Sequence, residues 1–250
     1  MSSSPMRLQA GFTQNQSWQP LGLLGTPDPL FYSETYDDFN FYQAGRYTVT
    51  NTGNGTVAGT AADGGAILFT TNSSTPATTD ISAIQPDNAN LVLSTTLKWA
   101  FLARVQLADA TNSAMNLGLV QKTVTPFTVT DGVYFNKASG NTYLTLSVVS
   151  GSTVQASVSL SGLLTMTNGA YYDLGFQYDG KSDLLVYAGQ KLVGQKPNQN
   201  TATLGPIARI SGVGSLTLTT AVLAQTVALQ SGTATSKTMQ ADFFYAAKER

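Results

Sequence analysis

The chain has 250 residues, with thirteen Lys and Arg against fourteen Asp and Glu, a formal net charge of −1 and a pI near 5.2. Charged residues make up only 11%, apolar residues 42%, and histidine and cysteine are absent. This composition supplies a core but gives no electrostatic footprint for nucleic acid or an anionic membrane, no disulfide framework and no thiol chemistry.

Glu34 and Glu249 are the only glutamates, and both lie near chain ends. A serine triad needs a histidine partner, which the chain lacks. A paired-carboxylate hydrolase needs two suitably spaced acids, and the region between Glu34 and Glu249 contains no glutamate. We expect no enzyme, no catalytic residue and no cofactor. Residues 1–10 lack a charged segment followed by an apolar one, and no run approaches the ~18 apolar residues of a membrane span. A soluble protein made in the cytoplasm is expected.

Residues 1–36 carry bulky apolar side chains with no period of two or 3.6, broken by Pro20, Pro27 and Pro29. We read them as an extended arm whose anchors, Phe12, Trp18, Leu21, Leu23, Leu24 and Phe31, are candidate docking residues for a capsid or a subunit. The arm either covers its own sheet or lies on a neighbour. Residues 37–250 read as many short strands. The clearest is 98–107, where Trp99, Phe101, Ala103, Val105 and Leu107 alternate with Leu102, Arg104 and Gln106.

Further strands are expected at 46–50, 66–70, 115–120, 132–136, 142–149, 153–160, 171–178, 184–188, 216–224 and 238–246. Turn signals at Asp131-Gly132, Ser139-Gly140-Asn141, Ser150-Gly151-Ser152, Asp179-Gly180 and Ala188-Gly189 favour antiparallel hairpins. In the last strand, Met239, Ala241, Phe243 and Tyr245 would share one face and Gln240, Asp242 and Phe244 the other. Aromatic residues on both faces predict burial on two sides. The sum is an all-β, two-sheet antiparallel sandwich.

The stretch 172–194, YDLGFQYDGKSDLLVYAGQKLVG, resembles the signature hairpin of concanavalin A-like, laminin-G-like jelly rolls: an aromatic-Asp-Gly turn, a tyrosine-bearing strand, then a tight glycine turn. YDDF at 36–39, GGAILFT at 64–70, VTDGVYF at 129–135 and FYAAKER at 244–250 are similar to tailed-phage virion structural proteins. That resemblance implies a non-enzymatic capsid decoration or cement protein on the virion. Its partner would be the major capsid protein, and it would act as a homotrimer or dimer. The alternative is a lectin-like module that binds a host glycan.

Relatives of this fold often bind Ca²⁺ through loop oxygens. Asp131, Asn136, Asn141, Asp179 and Asp183 are candidates for that role; a turn role explains Asp-Gly pairs better, and no metal site is assigned. Tyr171 with Tyr172, or Trp18, are candidate glycan platforms, against plain sheet packing with the hydroxyl reaching water.

Overall fold

The computed structural model describes residues 32–60, 65–72, 74–88, 91–191 and 206–250. These form fifteen strands in two antiparallel sheets. β1 (Tyr32–Asp37), β3 (Thr56–Gly59), β4 (Ile67–Thr70), β6 (Trp99–Leu107), β11 (Tyr171–Tyr178), β12 (Leu184–Lys191), β13 (Ala208–Ile210) and β15 (Thr238–Glu249) make an eight-stranded sheet. β2 (Tyr47–Asn51), β5 (Ile81–Pro86), β7 (Ser113–Gln121), β8 (Gly132–Lys137), β9 (Thr145–Ser150), β10 (Thr153–Ser159) and β14 (Leu223–Ser231) make a seven-stranded one, ordered β10-β9-β8-β7-β14-β5-β2. The expected two-sheet sandwich is the structure found.

Alternation decides which side chains meet between the sheets. Trp99, Phe101, Val105, Leu174, Phe176 and Tyr178 line the inner face of the eight-stranded sheet, and Met115, Leu117, Leu119, Phe135, Leu146 and Val148 that of the other. Phe176 ties the layers: its ring lies 5.3 Å from Phe101 and 5.8 Å, across the gap, from Phe135. Two inner aromatics carry polar tips that find partners, as burial requires. Trp99 Nε1–H donates to the Ser94 carbonyl at 3.0 Å, and the Tyr178 hydroxyl donates to that of Thr95 at 2.7 Å.

Several sequence expectations are corrected. The boundary drawn at residue 36 falls inside β1, which pairs with β15 from Tyr32↔Glu249 to Asp37↔Phe244. As an edge strand of mixed polarity, β1 shows no apolar alternation. The six arm anchors, Phe12 to Phe31, lie outside the described residues. Gly189 is not a turn: β12 runs through it, opposite Asp173 of β11. The strand expected at 216–224 begins at Leu223; before it, Leu216 and Leu218 pack on the core from irregular backbone. In β15 a bulge between Ala241 and Phe243 resets the faces. Met239, Ala241, Phe244 and Ala246 point inward, and Phe243, Tyr245 and Ala247 outward. The expected burial on both sides holds, because Phe244 and Tyr245 are both buried.

The β9–β10 turn is two residues long, with Gly151 and Ser152 both at positive φ (56° and 64°). That is the mirror-image turn whose twist matches a hairpin.

Lys137, the last residue of β8, is fully buried on the inner side. Its ammonium donates to the Ser113 carbonyl and, at 3.2 Å, to that of Ala138. Burial lowers its pKa to about 8, against an opposing pull from the Asp109 carboxylate. Between that value and its ordinary one the unfolded chain holds a proton that the folded chain does not, so stability rises with pH across that window. Urea unfolding should show the wild type gaining on Lys137→Met between pH 8 and 10, with no such trend between pH 6 and 7. Phe176→Ala should lose about 3–5 kcal/mol in the same assay.

Candidate functional site

Charge is distributed unequally between the sheets. The strands of the eight-stranded sheet contain Glu34, Asp37, Arg104, Asp173, Lys191, Arg209, Asp242, Lys248 and Glu249. Those of the seven-stranded sheet contain Lys137 alone, and it faces inward. The outer face of the seven-stranded sheet is therefore uncharged, built from amides, hydroxyls, small residues, a few aliphatic side chains such as Val120, Val149 and Val154, and one aromatic, Tyr134.

The middle of that face is roofed by the 122–131 connection between β7 and β8. Two buried amides hold the roof by its backbone. Asn116 Nδ2 donates to the Pro126 carbonyl at 2.9 Å, and Gln85 Oε1 accepts the Thr123 N–H at 2.9 Å. Each amide is completed on the sheet: Asn136 Nδ2 donates to Asn116 Oδ1 at 2.7 Å, and Gln85 Nε2 to the Thr226 hydroxyl at 2.8 Å. The far end of the roof is tied to the β9–β10 turn, where Asp131 Oδ1 accepts the Gly151 N–H at 3.0 Å.

Beside the roof lies a strip over β8, β9 and β10. Register places Tyr134 opposite Gly118 on one side and Ser147 on the other, with Ser157 beyond Ser147. The next outward row runs Asn136, Thr145, Ser159. Gly118 is required here: a Cβ would stand 2.4 Å from the Val133 carbonyl oxygen and 2.8 Å from Tyr134 Cβ. Tyr134 is thus a partly exposed ring with only small neighbours in its row. Burial raises the pKa of its hydroxyl, so it stays a neutral donor. Such a strip can stack and hydrogen-bond a polyol, and it holds no acid–base pair.

The other sequence-derived candidates disperse. Tyr172 is fully buried on the inner face, its hydroxyl donating to the Thr165 carbonyl at 3.0 Å and accepting the Thr167 N–H at 2.8 Å. Tyr171 faces outward on the opposite sheet and donates to Gln240 Oε1 at 2.6 Å. The fold does not gather them into one platform, and Trp18 lies outside the described residues. Asp131 and Asn136 sit at opposite ends of β8. Burial would raise the Asp179 pKa, but the backbone N–H groups of Lys181, Ser182 and Asp183 on its Oδ1 keep it below the usual carboxylate value. Asp183 meets Arg209 at 3.4 Å. Among the described residues no three His, Cys, Asp or Glu are grouped to hold a metal ion.

Two features were hidden in the sequence. The glutamates from the two ends come onto adjacent paired strands, two register positions apart, Glu34 opposite Ala247 and Glu249 opposite Tyr32. Glu34 is exposed, and Glu249 Oε2 accepts the Lys98 N–H at 3.1 Å. The outer face of the eight-stranded sheet also carries an apolar stripe, Ala100, Leu102, Tyr245 and Ala247, flanked by Tyr32 and Phe243. Arg104 lies over the Phe243 ring at 5.2 Å and pairs with Asp173 at 2.6 Å and Asp242 at 3.0 Å.

Comparison with known proteins bears on the fold alone. No family model matches, and no curated protein sequence matches. Among solved structures, a Shewanella oneidensis MR-1 protein of unknown function superposes with a TM-score of 0.62 at 11% identity, over 100% of this chain and 95% of that one. Lectin II from Ulex europaeus gives 0.56 at 14% identity, over 87% and 99%. The CBM2 module of the evolved Dit of Lactobacillus casei BL23 phage J-1 gives 0.51 at 12% identity, over 88% and 96%. The chain has the lectin-type, concanavalin A-like jelly-roll fold.

If Asn116 holds the roof, Asn116→Ala should leave the Pro126 carbonyl and the Asn136 amide without a buried partner. We expect a loss of about 1–3 kcal/mol in urea unfolding, with faster proteolysis inside 122–131 than in the wild type.

Proposed function

We propose that this chain is a non-catalytic, lectin-like module that binds glycan on the outer face of its seven-stranded sheet. The observation that carries the reading is Tyr134, a lone ring among small hydroxyl and amide side chains, fixed by Gly118 and bordered by an anchored loop. A sugar has apolar C–H faces that stack on such a ring and hydroxyls that pair with Ser, Thr and Asn. Removing the ring should weaken binding by roughly tenfold, about 1.4 kcal/mol. Fold analogy adds to this: a Ulex lectin of the same fold is known in complex with galactose. On a glycan array the wild type should give reproducible positives that Tyr134→Ala loses while keeping its unfolding midpoint. Equal signals from both proteins would place the site elsewhere.

A second reading, capsid decoration or cement, is favoured by Phe41, a large apolar side chain 86% exposed on the loop after β1. In this reading the chain, as a trimer or dimer, bridges major capsid proteins on a phage head and stabilises the shell by binding only its assembled form. The phage origin of the Dit module agrees with a virion location. Saturable co-sedimentation with undecorated shells of the source virus, reduced by Phe41→Ser, is the expected result. A glycan array blank together with shell binding would favour this reading over the first.

A further inference from the structure

Resting on the glycan-binding reading, we infer that the ligand is an uncharged glycan, laid across β8, β9 and β10, and not an acidic one. No charged residue stands between Lys137 and Asp173, so β9, β10 and the connection from β10 to β11 are wholly uncharged. None stands between Arg209 and Lys237, which covers β14 as well. Lys137, the one cation in the seven-stranded sheet, is turned to the inside and given to two backbone carbonyls.

Two ionic groups beside the roof are occupied too. Lys122, just past β7, pairs with Asp87 at 2.8 Å, and Asp87 also accepts the Thr48 hydroxyl at 2.6 Å. Asp131 is committed to the Gly151 N–H.

An acidic glycan is held by Arg or Lys reaching its carboxylate or sulfate, because charge-assisted bonds repay the desolvation of the anion. This face offers no such cation. Placing an anion on it would desolvate the charge against hydroxyls and methyl groups, which is unfavourable. A neutral sugar carries no such penalty and meets a matched surface. From Tyr134, past buried Ser147, to exposed Ser157 the row crosses two strand steps of about 4.8 Å each, and the parallel row Asn136, Thr145 and exposed Ser159 supplies a second line of polar groups. At the far end of the strip exposed Val154 sits opposite buried Val149, adding apolar surface for C–H faces. With no local field to steer association, binding should be insensitive to salt.

The test uses the full chain in affinity electrophoresis against two neutral polysaccharides, dextran and galactomannan, and two acidic ones, alginate and polysialic acid, at low and high salt. Exposed Ser157 is replaced in Ser157→Lys, which adds a cation to the strip without disturbing the core. Expected is retardation by a neutral polymer, unchanged by salt. The variant should bind that polymer several-fold more weakly and gain salt-sensitive affinity for an acidic one. Preferential, salt-sensitive retardation of the wild type by alginate or polysialic acid would overturn the uncharged-ligand inference while leaving glycan binding intact. Retardation by none of the four, in folded protein, would count against the glycan reading itself. Neutral binding that Ser157→Lys leaves untouched would remove the ligand from this strip.

Discussion

Face-to-face burial of two sheets is the constraint from which the other features follow. Because side chains alternate along a strand, committing Phe101, Phe176 and Phe135 to one shared interior commits their neighbours Leu102, Gly175 and Tyr134 to the outside. A one-residue slip in any central strand would exchange the two sets. The core therefore specifies the outer faces, and the outer faces are where a rigid sandwich can carry function. β15 shows the exception: its bulge at Asp242 lets the strand pack Met239 and Phe244 inward although their spacing is odd. The bulge also brings Asp242 within reach of Arg104.

How much of this was legible depended on pattern strength. β6 and β11 alternate cleanly, and both were readable nearly to the residue. β1 was not, since Ser33, Glu34 and Thr35 on an edge strand give no apolar signal. β14 was misplaced because Leu216 and Leu218 alternate with threonines as a strand would, whereas Gln225 and Thr226 inside the true strand look like turn polarity. The β11–β12 hairpin was visible through Asp179-Gly180, but Ala188-Gly189 looked like a second turn and is simple strand. Glycine marks absence of a side chain, not always a reversal of the chain.

The site was harder to read than the fold, because it is assembled by register. Nothing local says that Gly118 faces Tyr134, that Asn116 and Asn136 join, or that Gln85 receives a backbone N–H from residue 123. The one signal that could have pointed there is charge: the long uncharged runs after Lys137 and after Arg209 are visible in the sequence, and the whole strands they contain, β9, β10 and β14, belong to a single sheet. The two outer faces thus have opposite characters. One is ionic and aromatic, with Arg104 bridging Asp173 and Asp242 beside an apolar stripe; the other is neutral and hydroxyl-rich. The two proposed readings therefore call on different parts of the molecule and do not exclude each other.

The measurement that tests this most directly is amide chemical-shift mapping of the isotope-labelled protein titrated with a neutral oligosaccharide. The account predicts saturable shifts centred on Tyr134, Asn136, Ser147 and Ser157, with the opposite sheet around Leu102 and Tyr245 unmoved. Shifts confined to that opposite sheet, or to the loops at the end of the sandwich, would contradict it.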